Sequence, residues 1–66
     1  MAGKIKQIID DIVVKRSKGN ETIRNITLAK LMLKGVNPDS YTALSQDDPA
    51  VIARLHQIAV EMGVNL

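Results

Sequence analysis

The stretch "ETIRNITLAKLMLKGVNP", residues 21–38, decides how this chain of 66 residues folds. Asn20 stands before it as a helix N-cap, with Glu21 at the positive end of the helix dipole. Gly35 sits where a left-handed residue ends a helix, Val36 can fold back onto Leu31, and Pro38 prevents continuation. The segment therefore reads as a helix over about 21–34. Its apolar residues Ile23, Ile26, Leu28, Ala29, Leu31, Met32 and Leu33 spread around most of the circumference. Only a narrow stripe through Thr27, Lys30 and Lys34 is plainly polar. A helix apolar over so wide an arc needs cover on more than one side. It is expected to be the central helix of a bundle or, if thinly covered, an interface.

The tripeptide Gly-Val-Asn recurs at 63–65, after a second helical pattern. A glycine just past a helix with an apolar residue behind it has a sufficient conformational cause, so the repeat reads as punctuation. The helix it closes is expected over about 49–62. Asp48 is its N-cap and Pro49 its first residue, and Val51, Ile52, Leu55, Ile58, Ala59 and Met62 form one stripe. A first helix is expected over about 4–18. There Ile5, Ile8, Ile9, Ile12 and Val13 fall within one arc, Asp11 and Lys15 stand as an i,i+4 pair, and Gly19 stops the helix. The fold class is thus all-α: a three-helix bundle forming a single domain, 1–66. Its second connection is long, with a single turn opened by Asn37 and Pro38. Tyr41 and Leu44, the only sizeable apolar groups in that connection, are expected to pin it to the bundle.

Composition narrows the chemistry. The absence of cysteine excludes disulfides and thiolate sites. With no Phe or Trp and one Tyr, the core must be aliphatic, and the stacking platforms of single-strand binders are missing. His56 is the sole histidine and has no partner for metal or nucleophile chemistry at a suitable spacing. Asp10-Asp11 lacks the alternating spacing of a calcium loop, and Asp47-Asp48 is accounted for as a cap. No glycine-rich phosphate loop is present. Neither enzyme activity nor a cofactor is expected. The apolar runs are too short to span a membrane, and a cytoplasmic location is the default expectation.

Charge is uneven. Residues 1–36 carry eight Lys and Arg against three acids, and residues 37–66 carry one against four. Two functions follow as expectations. The first is a protein-protein interaction or regulatory module, self-associating through helix two with Leu28, Leu31, Met32 and Leu33 as contacts. A chain of this size can bury only a small core, and methionine offers an adaptable surface. The alternative is a helix-turn-helix-like nucleic-acid binder. Helix two would offer Thr22, Arg24, Asn25 and Lys30 to a groove, with Lys15, Arg16 and Lys18 against phosphate. Against that alternative stands the narrowness of the polar face on helix two.

Overall fold

The computed structural model describes residues 3–66. It contains α1 (Lys4–Ser17), α2 (Glu21–Leu33), a 3-10 turn over Pro38–Ser40, and α3 (Pro49–Glu61). The architecture is the expected all-α three-helix bundle, with no strand among the described residues. Each helix ends one residue before its expected boundary, because that last residue has become the cap.

The local signals act as their chemistry requires. The Asn20 side chain accepts a hydrogen bond from the Ile23 amide at 3.1 Å, and Asp48 accepts one from the Ala50 amide at 3.0 Å. Both Gly-Val-Asn stretches close as the same double-bonded cap. The Val36 amide donates to Leu31 O (2.9 Å) and Gly35 to Met32 O (3.1 Å). Likewise Val64 donates to Ala59 O (2.8 Å) and Gly63 to Val60 O (3.1 Å). In each case the glycine has positive φ and the valine folds back, Val36 fully into the core and Val64 partly.

Packing departs from expectation in its centre. The core is built from Ile5, Ile8, Ile9, Ile12 and Val13 of α1, Leu31 of α2, and Leu55, Ile58, Ala59 and Met62 at and after α3, with Val36 beside them. Helix α1 packs against both α2 and α3, whereas the pairing of α2 with α3 is slighter. The central helix is therefore α1, not α2. Its apolar groups share one arc and can all be covered at once. Those of α2 cannot, because its neighbours lie on one side.

Helix α2 also buries a face other than the expected one. Thr27, assigned to the polar stripe, is buried, and its hydroxyl donates to Ile23 O at 2.7 Å. That bond within the helix satisfies the only polar group of the side chain, so its burial costs little.

The long connection is tied by hydrogen bonds to the start of α1. Tyr41 packs against the core as expected, but Leu44 is 87% exposed and pins nothing. Instead the Gly3 amide donates to Ser45 O at 2.9 Å, and the Lys4 amide to Asp47 Oδ1 at 3.0 Å. The two adjacent aspartates thus serve different helices: Asp48 caps α3, and Asp47 places its carboxylate at the positive end of α1. Gly3 makes this docking possible. Its φ is +90°, and a Cβ there would stand 2.6 Å from Ala43 O.

Candidate functional site

With Thr27, Leu31 and Leu28 directed inward, the residues diametrically opposite on α2 are Thr22, Ile26, Ala29 and Leu33, bordered on one side by Asn25 and Met32 and on the other by Lys30. All of these are exposed, Ile26 by 49%, Met32 by 55% and Leu33 by 87%. No charged side chain lies in this strip. It runs the length of the helix and is uncovered by the rest of the bundle.

The four residues expected to form an interface divide accordingly. Met32 and Leu33 lie on the exposed strip. Leu28 is half-buried against the core, and Leu31 is fully buried. Leu31 fills the core and lies beyond the reach of a partner, whereas Ile26 and Ala29 lie on the exposed strip. Their signal was present in the sequence: positions 22, 26, 29 and 33 recur at spacings of four, three and four without a charge. The apolar groups on the opposite side of the wheel concealed it.

The basic residues gather in part. Arg16, Lys30 and Lys34 line one groove with Leu33, Glu61 and Met62. Lys15, Arg16 and Lys18 line a second groove with Met62, Gly63, Val64 and Asn65. Arg24 belongs to neither. Several of these cations are already used within the fold. Arg16 Nη1 donates to Met62 O (3.3 Å), at the carbonyl end of α3, and Lys15 Nζ to Asn65 O (2.9 Å) in the tail beyond it. Lys15 therefore does not form the expected pair with Asp11; the i,i+4 pair on α1 is Lys6 with Asp10 at 2.9 Å. Lys34 Nζ lies 2.5 Å from Glu61 Oε2. That hydrogen bond and the Lys34 charge, aided by the charge of Arg54, hold the Glu61 carboxyl below the ordinary glutamate value. The side chains of Lys18 and Lys30 form no ion pair or hydrogen bond among the described residues.

The outward face of α2 is mixed: Thr22 lies on it and Asn25 beside it, whereas Ile26, Ala29 and Leu33 offer no side-chain hydrogen-bonding group for base readout. His56 is exposed on α3, in a shallow groove with Lys4, Gln7, Ile8, Asp11, Lys15 and Leu66. No group of three His, Cys, Asp or Glu suited to a metal ion occurs among the described residues. Nor, among them, is any helix long and apolar enough to cross a membrane. Comparison with protein-family models, with curated proteins and with solved structures finds no match to this chain.

Proposed function

We propose that this protein is a small, non-enzymatic helical interaction module that works in the cytoplasm and self-associates through the outward strip of α2. One observation carries the reading: Thr22, Ile26, Ala29 and Leu33 form a charge-free stripe at the spacing helices use to pack on one another. A core this small has no disulfide to supplement it, and a second subunit is one way a short chain gains further burial.

Sedimentation over a range of concentrations tests this. The wild type is expected to show a monomer–dimer equilibrium, and Ile26→Asp or Leu33→Asp to shift it to monomer with helical circular dichroism retained. Both residues are exposed, so the fold does not depend on them. A wild type that stays monomeric at its highest soluble concentration would overturn the reading.

A second reading rests on the gathering of Lys15, Arg16, Lys18, Lys30 and Lys34 in two grooves that share Arg16 and Met62. Here the two grooves, and not α2 as a recognition helix, contact a phosphate backbone. Titration with a DNA duplex should then shift the amides around Lys15–Lys18 and Lys30–Lys34, with affinity falling steeply as salt rises. Absent or salt-insensitive binding removes it.

A further inference from the structure

From the order of side chains along the strip, we infer that two copies of α2 pack antiparallel, about a two-fold axis that runs between the helices, level with the midpoint of residues 27 and 28. This pairing rests on the self-association proposed above and names its geometry. The spacing of Thr22, Ile26, Ala29 and Leu33 is four, three, four, which reads the same in both directions. The sizes do not: they run small, large, small, large.

Antiparallel overlay therefore sets Thr22 opposite Leu33 and Ile26 opposite Ala29, and the two-fold axis repeats both layers. Every layer holds one large and one small side chain, the arrangement that lets facing helices interdigitate at even separation. Parallel overlay sets like on like. The Ala29 layer would then be hollow, while Ile26 and Leu33 on either side of it would hold the helices apart. Hollow and crowded layers both lose contact energy.

Antiparallel packing also opposes the two helix dipoles. The contact is isologous and closes as a dimer, without growing into a filament.

The absence of native cysteine makes the test direct. Thr22→Cys and Leu33→Cys are prepared separately, and each is treated with a short thiol cross-linker alone and in an equimolar mixture. Mass spectrometry then distinguishes the products. Antiparallel packing predicts at least about tenfold more of the mixed product, joining position 22 of one copy to position 33 of the other, than of either like pair. The reason is that like positions lie roughly 16 Å apart along the axis. Predominance of the two like pairs would overturn the orientation while leaving self-association standing. Absence of any cross-link, with a wild type that sediments as a dimer, would place the interface elsewhere and overturn the inference. A wild type that sediments as a monomer removes both the inference and the reading beneath it. The unmutated protein provides an independent check. A mixed-label sample should show an intermolecular nuclear Overhauser contact between the methyl groups of Thr22 and Leu33, and its absence in a dimer would equally overturn the pairing.

Discussion

Helices α1 and α2 are nearly equal in length and in number of apolar side chains, yet the bundle treats them oppositely. Six residues of α1 are buried, while α2 buries only Thr27 and Leu31. The difference lies in angular distribution. Ile5, Ile8, Ile9, Ile12 and Val13 point into one arc, so a single pair of neighbours covers them all. The apolar residues of α2 point in several directions, and a chain this short has too few helices to cover each of them. Apolar content measures how much a helix needs burial; arc decides whether its own domain can provide it.

The contrast can be broken by mutation. Ile12→Ala should have the largest effect, a loss of about 2–5 kcal/mol in urea unfolding, because Ile12 is fully buried and leaves a cavity. If that loss were below the effect of Leu33→Ala, the assignment of centre and surface would be reversed. Next comes Gly3→Ala, expected to cost about 1–3 kcal/mol, because the site combines positive φ with a Cβ against Ala43 O. Hydrogen exchange should show protection lost at the start of α1 and in residues 43–47 together, since the hydrogen bonds of Gly3 and Lys4 join the two. Asn20→Ala follows, with about 1 kcal/mol lost on removal of the cap on the Ile23 amide. Its destabilisation should be strongest in the first turn of α2. Leu33→Ala, studied where the chain is monomeric, should change stability by less than about 0.5 kcal/mol. Its cost should appear only in self-association.

The smallest expected effect concerns pH. The Glu61 carboxyl is held below the ordinary glutamate value by its hydrogen bond from Lys34 and by the Lys34 charge. A depressed carboxyl pKa stabilises the fold above the unfolded value, and that contribution disappears as pH falls through the lower folded value. Because the pair is exposed, the effect on stability is slight. An NMR titration of the Glu61 carboxyl carbon should show its midpoint moving up toward the ordinary value in Lys34→Met. An unmoved midpoint would remove Lys34 as the cause.

Much of this fold could be read from local chemistry. Asn20, Asp48 and Pro49 begin helices, and Gly35 and Gly63 end them, through bonds that reach no more than five residues along the chain. Signals of that range are complete within the sequence that carries them, so the elements, their ends and the all-α class were legible. The candidate interface was legible only in part. Of the residues expected to make contacts, Met32 and Leu33 stand on the outward face and Leu31 in the core, while Ile26 and Ala29 share that outward face, because α2 offers two plausible faces and no local bond chooses between them. The choice is made by packing against α1, which leaves Leu31 and Thr27 buried and the opposite face outside. Tertiary structure likewise divided Asp47 from Asp48: one accepts from an amide two residues ahead, the other from an amide 43 residues back along the chain. Helix formation is decided by atoms a turn away. Which side of a helix faces water is decided by what fits against it, and that partner comes from elsewhere in the chain.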